Sequence, residues 1–131
     1  MSSKAKKAIS LLLADSDTKF LQLISNHPAL QEAGWNIKTV KSGDEALSAL
    51  KHSQFDILIA NLILPKTPGD ILLAHTKRDY PNSLRFLIHE AEDSNSLQKG
   101  TGLAHRYLEK PITPERLVQS VDQVLRTQLR I

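Results

Sequence analysis

A chain of 131 residues, 40% of them hydrophobic, is long enough to bury roughly two-thirds of its unfolded surface in one core and too short for two ordinary domains. Its 17 Lys and Arg against 14 Asp and Glu leave a net charge of +3, which equals the three lysines of the amino-terminal tail, Lys4, Lys6 and Lys7; the rest is balanced and offers no basic stripe interleaved with aromatics, so direct nucleic-acid binding is not expected. Cysteine is absent, which excludes a disulfide framework and a thiolate metal site, and neither a bilayer-spanning apolar run nor the apolar core of a signal peptide is present, so no membrane role and a cytoplasmic location are expected. Residues 1–8 read as a flexible basic tail and 9–131 as a single domain.

Apolar runs then alternate with helical patterns. Ile9 to Ala14 is a continuous apolar run ending at Asp15, as expected of a strand covered on both faces. Phe20, Leu21, Leu23 and Ile24 recur at helical spacing until His27-Pro28, where proline restricts its predecessor and stops the pattern. Trp35 to Val40 alternates as a second strand. Ser42-Gly43-Asp44-Glu45 reads as a capping box that opens a helix over Glu45 to His52. Ile57 to Leu64 is a buried third strand, Gly69 to Arg78 a short helix, Leu84 to Ile88 a fourth strand and Arg106 to Leu108 a brief fifth. Thr113-Pro114 opens a final helix with proline in its first turn, and Leu117, Val118, Val121, Val124, Leu125 and Leu129 line its buried stripe. Between the last two strands, Ser94 to Leu103 is poor in apolar residues and holds Gly100 and Gly102, so a weak fourth helix is expected there. Alternation of this kind implies an α/β fold with a parallel sheet and right-handed crossovers.

The segment from Phe55 to Gly69, FDILIANLILPKTPG, resembles the third strand and following loop of a bacterial response-regulator receiver domain. That family's pattern is an aromatic residue and Asp, four apolar residues, the phosphoacceptor Asp, three apolar residues, Pro, and Gly four residues later. Every element is present except the acceptor, which is Asn61. Leu12 to Asp17 is similar to the family's first-strand acidic cluster, and Arg106-Tyr107-Leu108-Glu109-Lys110-Pro111 to its fifth-strand Lys-Pro signature. The resemblance implies a flavodoxin-like (βα)5 three-layer sandwich with strand order 2-1-3-4-5 and a site at the carboxyl ends of the strands. It would bring Asp15, Ser16, Asp17, Asn61, His89 and Lys110 together.

Three of these positions depart from the family. Asn61 offers a neutral carboxamide where an acyl phosphate requires a carboxylate nucleophile. Ser16 stands where the second Mg²⁺-holding carboxylate would be, which leaves Asp15 as at most a weak ligand and implies no metal and no cofactor at ordinary concentrations. Asp15, Ser16 or Asp17 equally suits a helix cap. His89 replaces the small hydroxyl that ends the fourth strand, and by itself reads as a strand-end histidine open to water; His52, His75 and His105 show no paired metal spacing and read as surface or helix-flank residues. Lys110, with no phosphate to bind, is expected to pair with Asp15 or the Asn61 carbonyl. Tyr107 matches the family's aromatic switch residue. No catalytic residue and no enzyme activity are implied; a nucleotide- or flavin-binding alternative lacks a phosphate cradle, since the first loop is acidic. The reading is a phosphorylation-independent protein-interaction module of two-component signalling, which meets a partner or a second copy through the fourth helix, fifth strand and fifth helix, with an output domain possible in a longer chain. The alternative is a conventional phosphorylatable receiver, or an Asp-to-Asn variant of one, that regulates an attached output domain.

Overall fold

The computed structural model describes residues 8–93 and 102–129, the side chain of Leu129 excepted. Five strands, β1 (Ser10–Ala14), β2 (Asn36–Val40), β3 (Ile57–Asn61), β4 (Leu84–His89) and β5 (Arg106–Glu109), form one parallel sheet in the order β2-β1-β3-β4-β5. The helices are α1 (Thr18–Ser25), α2 (Pro28–Ala33), α3 (Gly43–His52), α4 (Gly69–Asp79) and α5 (Pro114–Leu129), with a 3-10 turn at Ala91–Asp93.

Alternation along each strand divides the core in two. Leu11, Leu13, Ile57, Ile59, Leu84, Phe86 and Ile88 face one side, where Leu21 and Ile24 of α1, Leu30 of α2 and Leu117, Val121, Val124 and Leu125 of α5 cover them. Leu12, Ala14, Leu58, Ala60 and Leu87 face the other, under Ala46, Ala49 and Leu50 of α3 and Leu72 and Leu73 of α4. The result is the expected three-layer sandwich. At roughly 1.5–3 kcal/mol for each fully buried large aliphatic side chain, these two layers supply most of the driving force.

Several boundaries differ from the sequence reading for identifiable reasons. Pro28 ends α1 and also starts a further helix, α2: proline is pre-set for the first helical position, and Nδ1 of His27 caps the turn by accepting the Ala29 N–H at 3.1 Å. β3 stops at Asn61 rather than Leu64, because the chain then leaves the sheet and places Ile63 66% exposed. Trp35 lies just outside β2, α3 begins at Gly43, α4 runs on to Asp79, and β4 and β5 reach His89 and Glu109. The Ser42 hydroxyl accepts the Glu45 N–H at 3.1 Å as expected, while the Glu45 carboxylate reaches back to the Lys41 N–H at 3.0 Å. Residues 94–101 of the expected fourth helix, the tail through residue 7 and the side chain of Leu129 lie outside the described residues.

The loop after β3 is clamped by two close backbone approaches. A Cβ on Gly69 would lie 2.2 Å from the Asn61 carbonyl oxygen, and one on Gly43 would lie 2.0 Å from that of Thr67. Gly43 N–H donates to the Pro65 carbonyl at 3.1 Å, Gly69 N–H to that of Leu62 at 2.8 Å, and the Thr67 hydroxyl to Asp44 Oδ1 at 2.6 Å. Lys66, at φ 74°, makes the left-handed bend between them.

Candidate functional site at the carboxyl end of the sheet

The strand ends bring together residues from four loops. Asp15 follows β1, fixed to β2 by its N–H donating to the Val40 carbonyl at 3.0 Å, and it is 1% exposed. Its Oδ1 accepts the Asp17 N–H at 2.9 Å, whereas the buried Oδ2 has no hydrogen-bond partner among the described residues. Burial pushes the Asp15 carboxyl above the usual carboxylate range. The Asp17 amide and then the Lys110 charge oppose this, the Asp17 charge adds to it, and the nearby Asn61 carboxamide favours the ionised form more weakly than any of these.

The other two members of the first loop do not enter the pocket in the same way. Asp17 is the N-cap of α1, its Oδ1 accepting from Lys19 N–H at 3.0 Å and Phe20 N–H at 3.2 Å, and Ser16 is exposed. Of the three candidates for the cap, the structure selects Asp17. Asn61, buried, ends β3 one position beyond the Ala14–Ala60 register pair and so stands beside Asp15.

His89 corrects an expectation. It is 6% exposed rather than open to water, because its Nδ1–H donates at 2.8 Å to the carbonyl of Glu90, which folds the ring against the strand end. The Lys110 N–H donates to the His89 carbonyl at 2.8 Å, and the Lys110–Pro111 peptide bond is cis. Lys110 corrects a second. Its ammonium lies 3.7 Å from Glu90 Oε2, not bonded to Asp15 or Asn61, though its charge reaches Asp15. Pairing at the rim lets both groups keep part of their hydration, whereas a bridge to Asp15 would require the ammonium to be desolvated as well. A cavity of about 340 Å³ opens beside this pair, lined by Asp17, Phe20, Glu90, Lys110, Pro111 and Ile112. Glu90 was the residue missed; its only sequence signal was an acid directly after an apolar strand.

Tyr107 on β5 is half-buried against the Leu12 layer, its hydroxyl accepting the Ala104 N–H at 3.4 Å. His105, read as a surface residue, is likewise half-buried, and its Nδ1 accepts the Arg85 N–H.

The five-stranded order is what the resemblance implied, and the family model of the response regulator receiver domain matches residues 11–122. The chain belongs to this family. The receiver is similar to the transcriptional regulatory protein ResD of Bacillus subtilis, 22% identical over 116 residues that cover 88% of this chain and 48% of ResD. It is also similar to the probable transcriptional regulatory protein TcrX of Mycobacterium tuberculosis, 27% identical over 121 residues that cover 90% of this chain and 50% of TcrX. The receiver thus spans about half the length of these curated relatives. Among solved structures, the signal receiver domain of an HD domain-containing protein from Pseudomonas fluorescens Pf-5 superposes with a TM-score of 0.85 at 25% identity, over 98% of this chain and 95% of that one. The chemotaxis response regulator CheY4 of Vibrio cholerae gives 0.82 at 24% identity, over 91% and 100%, and shares the fold. Among the described residues no helix is long and apolar enough to cross a membrane.

Proposed function

We propose that this receiver is an atypical one, a protein-interaction module of two-component signalling whose output does not depend on phosphorylation. The observation that carries the reading is the carboxamide of Asn61 at the end of β3 beside the buried Asp15. In-line attack on a phosphoryl donor needs an anionic oxygen at that point, and a carboxamide oxygen is a much weaker nucleophile that forms no stable acyl phosphate. The donors available to Mg²⁺ agree. The orphaned Oδ2 of Asp15 is one suitable oxygen, but Asp17 is committed to capping α1, Ser16 is exposed and uncharged, and Asn61 is neutral. A hard cation that prefers carboxylates and waters in octahedral array finds too little charge here, so the set does not fit a physiological Mg²⁺ site.

On this reading Asp15, Asn61, His89 and Lys110 form a relic pocket with a structural role, and Tyr107 holds one arrangement. Binding is constitutive, through the β5 and α5 side of the domain, to a protein partner or a second copy. The relatives' greater length supports an output domain in the full gene product. Incubation with acetyl phosphate or phosphoramidate and Mg²⁺, followed by intact-mass measurement, tests the proposal. No adduct is expected; a stoichiometric alkali-labile phosphoryl adduct would make the chain a conventional receiver with another acceptor.

A further inference from the structure

At the opposite end of the β4–β5 pair, a titratable group has a role that depends on its charge. The Arg85 N–H donates to Nδ1 of His105 at 2.9 Å, and the His105 N–H donates to the Arg85 carbonyl at 2.7 Å. Two hydrogen bonds therefore fasten the residue before β5 to β4. The buried Arg85 guanidinium extends the seam, its Nε–H donating to the Leu103 carbonyl at 2.7 Å and one terminal nitrogen to the Ser83 carbonyl at 3.2 Å.

A backbone N–H only donates, so Nδ1 must be the bare nitrogen and the neutral ring carries its proton on Nε2. An imidazolium has hydrogens on both nitrogens and cannot accept that bond. Among the described residues, the charges acting on the ring are those of Arg85 on β4 and Lys77 on α4, with Tyr107 of β5 facing Arg85 and no carboxylate among the groups that bear on His105. Burial, then the Arg85 charge, and more weakly the Lys77 charge hold its titration below the ordinary histidine range, and the Arg85 N–H aimed at bare Nδ1 acts in the same direction because only the neutral ring accepts it.

We propose that His105 is a proton-operated latch on the β4–β5 seam: the neutral ring closes it, and a proton taken up at Nδ1 displaces the Arg85 N–H and frees residues 103–105 from β4. Because the closed state resists the proton, the stability it adds is complete above the ordinary histidine pKa of about 6.5 and is lost as pH falls through the lower value of the closed form. β5 is an edge strand, so the seam opens locally without parting the central strands. The latch uses no residue of the carboxyl-end pocket and does not depend on how that pocket is read.

The test is NMR on the intact chain between pH 7.5 and 5. His105 ring ¹⁵N shifts should show a bare Nδ1 at neutral pH, and the Arg85 amide should shift with the ring's titration. Arg85 amide exchange, normalised for intrinsic rate, should accelerate by about tenfold for each unit by which closure depresses the titration. His105→Gln, whose side-chain carbonyl accepts the same N–H and does not titrate, should keep protection at pH 7 and lose the acid step. An Arg85 amide indifferent to the His105 titration, or an acid step that persists in His105→Gln, would each overturn the proposal, and the first reading, made on the unaltered chain, stands should His105→Gln fail to fold.

Discussion

Replacing Asp15 by Asn should make this receiver more stable at neutral pH. The carboxylate is buried with Oδ2 unpartnered, and an unsatisfied buried polar atom costs about 1–3 kcal/mol, more when it is charged. Attraction to Lys110, whose side chain is about a quarter exposed at 26%, returns under about 1 kcal/mol, discounted for solvent screening. Asparagine keeps the Oδ1 that accepts the Asp17 N–H and exchanges the orphaned charge for a neutral amide. A net gain of about 1–2 kcal/mol at pH 7 follows, which for a domain of this size raises the melting temperature by roughly 5 °C. The pH dependence fixes the cause. Burial raises the folded-state pKa above the unfolded one, so the native state holds its proton more tightly, and the penalty of ionised Asp15 is absent below the ordinary aspartate pKa of about 4 and complete above the raised value. Urea titrations of both proteins at intervals from pH 4 to pH 7.5 should therefore show a gap that is small at the acid end and widens with pH. A gap of constant size, or a variant less stable at pH 7, would refute the account of Asp15 as a desolvated and under-satisfied charge.

Lys110→Ala should lower stability by under about 1 kcal/mol, since its partner Glu90 sits at the solvated rim; a loss above about 2 kcal/mol in urea denaturation would reveal an internal bridge instead. Asn61→Asp combined with Ser16→Asp should confer Mg²⁺ binding in roughly the millimolar range, followed through the amide shifts of Asp17 and Lys110, and saturation of the unmodified protein at the same concentration would contradict the ligand count. Gly69→Ala should cost about 3 kcal/mol, because the added methyl meets the fixed backbone of Asn61 and Leu62, and a thermal melt within a degree or two of the parent would show that the loop yields.

The fold was legible because its signals are local and repeated. Apolar runs at Leu11–Ala14 and Ile57–Ala60 had to be covered on both faces, and the Ser42 and Glu45 cap lies within four residues of chain. α2 was illegible for a physical reason: Pro28 is both a stop for the helix before it and a favourable first residue for one after it, and only the His27 cap decides that the second happens. Of the cluster at the strand ends, the positions of Asp15, Asn61, His89 and Lys110 were legible, whereas Glu90 and the pairing were not. Which residues stand at strand ends follows from topology, but His89 is buried because the next carbonyl turns back onto its ring, and Lys110, on a long flexible stem, takes the partner that costs it least hydration. Neither choice is written in the spacing of residues.

The two outer strands also decide how this domain can join anything. β2 is five residues long with Asn36, Lys38 and Thr39 exposed, and β5 is four residues long with Arg106 and Glu109 exposed. Short, polar, charge-bearing borders are poor templates for another chain's backbone, so ribbon-wise extension of the sheet is discouraged on both flanks. A companion molecule must instead be met side chain to side chain, where a few substitutions change the choice of companion. A domain so bordered can be carried at high copy number without its sheets growing into one another.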